Sequence, residues 1–221
     1  MKLKAEINFA DPDQDETRRQ LLEAAGEVFA ECGFRDATVR EICRRAGANI
    51  AAINYHFGDK ETLYVEVLRY SHGKALEKHP PLLGVAADAP PEKKLRAFVH
   101  SLLLRIFDKG PTAWHGKLMS REMIEPSAAL DLLVEERMRP MAGQLSKIVS
   151  EILNCPVNDD RIRLCSFSVV SQCVFYQHCR PVVSRLFPKQ LPLDVAGIEN
   201  LTDHITKFSL SAMKSFTDKK R

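Results

Sequence analysis

The chain has 221 residues, of which 45% are hydrophobic and 28% charged, and a formal net charge of +3. Such a chain folds as one large domain or two small ones without disulfide staples, and its composition excludes a disordered, collagenous or low-complexity protein. Charge is unevenly divided: residues 1–70 carry 10 Lys and Arg against 13 Asp and Glu, and residues 71–221 carry 22 against 16. Nucleic acid would have to be met by local placement of charge in the N-terminal part.

Residues 1–14 are polar and aperiodic and read as a mobile arm. Asp15 can cap a helix to about Cys32, with Leu21, Leu22, Ala25, Val28, Phe29 and Cys32 as its apolar stripe and Gly33 as its stop. Thr38 and Glu41 have capping-box spacing at the head of a short helix, Val39 to Ala46, that Gly47 ends. Ile42, Cys43 and Ala46 form its inner side, and Arg40, Arg44 and Arg45 its outer side. Asn49 can cap a second short helix, Ile50 to Phe57, which Gly58 ends. Lys60 opens a longer helix, with Leu63, Tyr64, Val67 and Leu68 on one face, to about Lys78. His79-Pro80-Pro81 and Ala89-Pro90-Pro91 bracket a linker that reads as a domain boundary or as a loop within one helical array.

Beyond residue 91 the pattern stays helical. Leu95, Phe98, Val99, Leu102, Leu103, Ile106 and Phe107 make a wide apolar face that Gly110-Pro111 breaks. A segment from Trp114 to Met123 follows. Ser127 can cap a helix to Ile152 that Pro140 should kink or split. Asn158 or Asp159 opens a helix to about Cys179 that is apolar almost all round, and so is buried or at an interface. Pro181, Pro188 and Pro192 mark loops, and a last helix runs from Val195 to Thr217. With no strand pattern and no internal repeat, the fold class is all-α.

Several functions drop out. The ten glycines are never closer than six apart, so no G-x-G-x-x-G, phosphate-cradling loop or nucleophile elbow exists. No H-E-x-x-H occurs, and no nucleophile–base pair stands out, so an enzyme is not expected. The longest uncharged run, Leu164 to Cys179, has 16 residues and carries Ser, Gln and His, short of the roughly 18–20 apolar residues of a membrane span. The acidic N-terminus is no signal peptide, so the expected location is the cytoplasm and the six cysteines should be reduced. Cys155, Cys165, Cys173 and Cys179 contain no C-x-x-C pair, so no metal site is assigned; no cofactor is expected either.

Helix, glycine turn and helix over residues 38–57 fit a helix-turn-helix. Its second helix would enter the major groove with Ala48, Asn49, Ile50, Ala51 and Ala52 toward base edges. On spacing alone, a plain helical hairpin within a core fits equally.

The run from Thr38 through Asn49 and the run Tyr55-His56-Phe57-Gly58-Asp59-Lys60-Glu61-Thr62-Leu63, preceded by Leu21-Leu22-Glu23-Ala24-Ala25, Phe29, Gly33 and Phe34, resemble the TetR family of bacterial transcriptional regulators. The resemblance covers about residues 16–70. Ser120-Arg121-Glu122-Met123, Pro126-Ser127-Ala128-Ala129 and the Asn49–Ile53 stretch resemble the CecR-like subgroup. Asn54 departs from the family, where an aromatic residue is usual.

The resemblance implies an arm at 1–15, a DNA-binding domain at 16–78 and a helical effector and dimerisation domain at 79–221. Thr38 would cap its helix and touch a phosphate. Arg40 would reach a base edge, while Asn49, Ile50, Ala51 and Asn54 would face bases or sugars. Tyr55, His56 and Lys60 would hold phosphates. The implied function is a homodimeric repressor of an operator in double-stranded DNA, released by a small apolar or amphipathic effector. Phe98, Leu102, Leu103, Phe107, Trp114, Leu118, Met119 and Phe175 are the expected pocket walls. The dimer face would combine helices 159–179 and 195–217. A thiol- or metal-responsive regulator on the same scaffold is the alternative.

Overall fold

The structure, a computed structural model, describes residues 12–108, 114–188 and 194–217, with side chains from Asp15 onward. The arm at 1–14 up to Pro12, the Gly110-Pro111 break and Pro192 lie outside the described residues. Every regular element described is helical: α1 (Pro12–Asp36), α2 (Val39–Ala46), α3 (Ile50–Phe57), α4 (Lys60–Lys78), α5 (Pro91–Ile106), α6 (Trp114–Ile124), α7 (Ala129–Leu133), a π-helical turn (Val134–Met138), α8 (Arg139–Leu153), α9 (Asp160–His178), α10 (Arg180–Leu186) and α11 (Val195–Thr217).

Three expectations are refined. First, α1 starts at Pro12, ahead of Asp15, with proline in the first turn where its missing N–H costs nothing. Gly33 (φ 83°, ψ 172°) breaks α1 without ending it, and one further turn reaches Asp36. Second, Pro140 does split the helix after Ser127, but through a π turn. The Arg139 N–H reaches back to Val134 O, five residues away, and Pro140 sits in the first turn of α8. Third, Pro181 starts α10 and is not in a loop.

The buried apolar residues form two clusters. One joins α1 to α4 through Leu21, Phe29, Ile42, Ile53, Leu63 and Val67, and recruits Leu118 of α6 and Ala129 of α7. The other joins α5, α8, α9 and α11 through Leu95, Leu103, Val149, Val169, Cys173 and Ile205. The first carries the candidate DNA-contacting helices, so we call it the head; the second is the body. Sealing the head against α6 depends on Gly26 of α1, where an added Cβ would lie 2.4 Å from the Trp114 ring.

Candidate nucleic-acid interface

Two tight caps set the geometry of α2 and α3. Thr38 is extended (φ −112°, ψ 140°), and its Oγ1 accepts the Glu41 N–H at 3.2 Å. The reciprocal half of the capping box is absent, because the Glu41 carboxylate accepts from Arg44 and Arg45 instead. Gly47 is left-handed (φ 64°, ψ 24°) and returns its N–H to Cys43 O. A side chain there would strain the turn, which glycine makes freely. Asn49 then caps α3, its Oδ1 accepting the Ala52 N–H at 2.9 Å.

With α3 held at its start, Ile53 and Phe57 point into the head core, at 0% and 5% exposure. The opposite side must face outward. Ile50 and Tyr55 are accordingly 52% and 71% exposed, with Asn49, Ala51 and Asn54 also exposed. Ile50 and Asn54, and Ala51 and Tyr55, are successive rows of one helical face. His56 is half-buried, its ring edge-on to Tyr55 at 4.9 Å. Thr38 and Arg40 are exposed at the near edge of α2.

Charge on this face is sparser than the arginine count suggests. Arg44 bonds to Glu41 at 2.7 Å, and Arg45 bonds to Glu31 at 2.6 Å and Glu41 at 2.8 Å. Hydrogen bonds from Arg44 and Arg45 hold the Glu41 carboxyl down at about 2. Those two guanidiniums are compensated within the protein. Arg40 makes no ion pair among the described residues, and neither does exposed Arg35, which sequence reasoning did not single out.

Lys60 is already engaged by the protein. Its ammonium donates to Phe34 O at 3.0 Å and Ala37 O at 3.1 Å, and stands 4.7 Å from the Phe34 ring centre. It closes the end of α1, where helical carbonyls lack N–H partners. Without DNA, its donors serve the fold.

The eight expected pocket residues do not form one wall. Phe98 and Leu103 are buried in the body core, with Leu102 and Phe107 packed on it. Leu118 lies inside the head core, with Trp114 and Met119 against it. Phe175 is 50% exposed. The cysteines are all free thiols. Burial pushes Cys173 up to about 12 and raises Cys165 and Cys43, which opposes thiolate chemistry.

A polar seam joins head and body. Glu122 is buried and accepts from Tyr64 Oη at 2.6 Å, Ser127 N at 2.8 Å and Ser127 Oγ at 2.9 Å. Burial, then the bond to Glu122, keeps the Tyr64 hydroxyl protonated. Arg121 donates to Ala30 O and Glu31 O on α1. Nearby, His115 Nδ1 and Ser71 Oγ are 2.9 Å apart, and the His72 and His115 rings meet edge-on at 5.8 Å. Arg105 is buried beneath Met141. An arginine inside the apolar run Leu102-Leu103-Leu104-Arg105-Ile106-Phe107 was the available signal.

Comparison with known proteins fits this geometry. Residues 21–67 match the model for bacterial regulatory proteins of the tetR family. Residues 91–213 match the C-terminal domain of the HTH-type transcriptional dual regulator CecR. The chain is 31% identical over 172 residues to the dual regulator CecR of Shigella flexneri, covering 74% of this chain and 76% of that one. It is 25% identical over 206 residues to the transcriptional repressor NicS of Pseudomonas putida, covering 90% and 92%. A solved transcriptional regulator from Rhodococcus superposes with a TM-score of 0.64 at 21% identity, over 88% of this chain and 96% of that one. No helix among the described residues is long and apolar enough to cross a membrane.

Proposed function

Because this chain belongs to the TetR family of bacterial transcriptional regulators and carries a CecR-type C-terminal domain, we propose that it is a homodimeric cytoplasmic repressor whose operator binding is relieved by a small molecule. The family binds DNA and regulates transcription, and its members are not enzymes. The observation that carries the reading is the outward face of α3. Ile50, Ala51, Asn54 and Tyr55 are presented on a helix fixed by the Asn49 cap and by buried Ile53 and Phe57. Ile50 suits a thymine methyl, and Arg40 suits a guanine edge. Thr38 and His56 flank that face and suit phosphates.

Dimerisation is supported by the body. Leu164, Phe167 and Phe175 on α9 and Phe208 on α11 are exposed at 58%, 63%, 50% and 60%. The two helices are tied together by Gln172 Nε2 to Ser209 Oγ at 3.2 Å. Two copies joined there would form a four-helix interface that hides these side chains. The recognition helices would need a separation of about 34–36 Å to meet successive major grooves. An effector favouring any other separation would weaken DNA binding by linkage. In this reading residues 16–78 read DNA and residues 79–221 bind effector and partner.

The test is fluorescence anisotropy with DNA from upstream of the protein's own gene, at two salt concentrations. Tight binding is expected, weakened about 5- to 100-fold by Arg40→Ala and steeply by added salt. Scrambled DNA bound as well as the upstream DNA would overturn the reading.

A further inference from the structure

Among the described residues, the least satisfied group is Arg105 on α5. It is 5% exposed. Its Nε donates to Ser101 O at 3.3 Å, its Nη1 to the weak acceptor Met141 Sδ at 2.9 Å, and its Nη2 has no partner. Arg105 makes no ion pair among the described residues. Arg137, on the π turn, has a buried Nε that is also unpartnered and likewise makes no ion pair. His72 on α4 is 5% exposed with Nδ1 unpartnered, and the charges of Arg105 and Arg137 both act on it. His115 on α6 completes the group. Two carboxylates act on the group from its edge, Asp108 on His115 and Glu136 on Arg137, and each is already bonded to another cation, Asp108 to Lys78 and Glu136 to Arg69.

A buried cation without a counter-ion is rare because it is costly. The histidines escape the cost by losing their protons, and burial holds them at about 3 for His72 and about 4 for His115. Arginine has no such escape. Burial lowers Arg105 only to about 10, so it stays charged at neutral pH. Water could meet the spare N–H groups but not the charge. What the cluster lacks is one negative charge with two acceptor oxygens, set among Met141, Cys173 and apolar neighbours.

We infer that the effector is a small carboxylate with an apolar body, and that Arg105 and Arg137, flanked by His72 and His115, receive its carboxylate. This rests on the ligand-release reading for its effect on DNA, but not for the binding itself. The cluster sits where α4 and α6, on the head side, meet α5 of the body and the π turn that leads into α8. A carboxylate there pairs the body arginines and accepts a bond from His72 of α4. It therefore acts on the helix that carries the head, which is the differential contact an allosteric ligand needs.

The test uses thermal unfolding of the full chain, without DNA. The probes are straight-chain carboxylates from acetate to decanoate and benzoate, each beside its neutral amide. At about a hundredfold excess over Kd, a carboxylate is expected to raise Tm by about 5–10 °C, and its amide is expected to do nothing. Arg105→Met should abolish the response and raise the Tm of the ligand-free protein by about 2–4 °C, because it removes an uncompensated charge. Arg137→Gln, at a less buried position, should weaken the response at least tenfold in concentration. The inference is overturned if no carboxylate exceeds its amide, or if Arg105→Met lowers the ligand-free Tm and Arg137→Gln leaves the response unchanged. Anisotropy on operator DNA separates the two readings. Thermal protection without specific DNA binding would sink the repressor reading alone, and DNA binding without protection would sink this one alone.

Discussion

The head and the body treat buried polar groups in opposite ways. Around α1, α4 and α6, Glu122 accepts from Tyr64 and Ser127, Arg121 caps the carbonyls of Ala30 and Glu31, and Lys60 caps those of Phe34 and Ala37. In the body, Arg105 Nη2, Arg137 Nε, Ser166 Oγ and Thr206 Oγ1 are buried without partners. Among the described residues the head leaves over one buried polar atom, His72 Nδ1 on α4, at its border with the body. The head's site works by presenting a fixed face, so rigidity is an advantage there. The body is unfinished, and what completes it can move it. Unsatisfied groups mark where a bound partner changes the energy most.

That contrast can be broken at its strongest point. Glu122→Ala strips the partner from Tyr64 Oη, Ser127 N and Ser127 Oγ at once. It should cost about 3–5 kcal/mol and lower Tm by about 10 °C, measured by calorimetry. A loss no larger than that of an ordinary surface substitution would mean the head is not sealed by this seam. The next effect comes from acid. His72 and His115 sit far below the ordinary 6.5, mainly through burial, with Arg105 and Arg137 adding to it for His72 and Arg105 for His115. The unfolded chain therefore binds protons that the folded chain refuses between about pH 6.5 and 4. Stability should be whole above 6.5 and fall on acidification by up to about 1.4 kcal/mol per pH unit for each ring. Urea midpoints taken from pH 7 to 5 would show this, and His115→Gln should roughly halve the slope. Smallest is Asn49→Ala, which removes one cap from α3. It should cost about 1 kcal/mol, a fall of about 2–4 °C in Tm. An unchanged melting curve would mean that Ile53 and Phe57 alone fix the helix.

How legible each region was in the sequence follows the same division. Helical periodicity, two glycines and two capping residues placed α2 and α3 closely, because those signals are local. The outward row of Ile50, Ala51, Asn54 and Tyr55 follows from phase alone once Ile53 and Phe57 are inside. The bonds of Lys60 to the carbonyls of Phe34 and Ala37 were out of reach, because they are a tertiary encounter more than twenty positions away. The pocket list failed to converge for a related reason. Apolar residues such as Trp114 and Leu118 look alike whether they line the body or plug the head, and only packing decides. Pairing of Arg44 and Arg45 with Glu41 was within reach of i, i+3 and i, i+4 rules, but the reach of Arg45 to Glu31 was not. Arg105 is a charge in an apolar run, a signal the sequence reading passed over, and whether a counter-ion awaited it is a question of three other helices.

One contact joins the two regions without any charge. The Trp114 ring of α6 lies across Gly26 of α1, so close that even a methyl group there would collide. Trp114 is the single tryptophan of the sequence. The molecule thus carries one intrinsic fluorophore on the seam between the part proposed to read DNA and the part proposed to answer to a ligand. Its emission reports how dry that seam is, in unlabelled protein and in real time. A stopped-flow trace of that one signal would time the message passing from body to head.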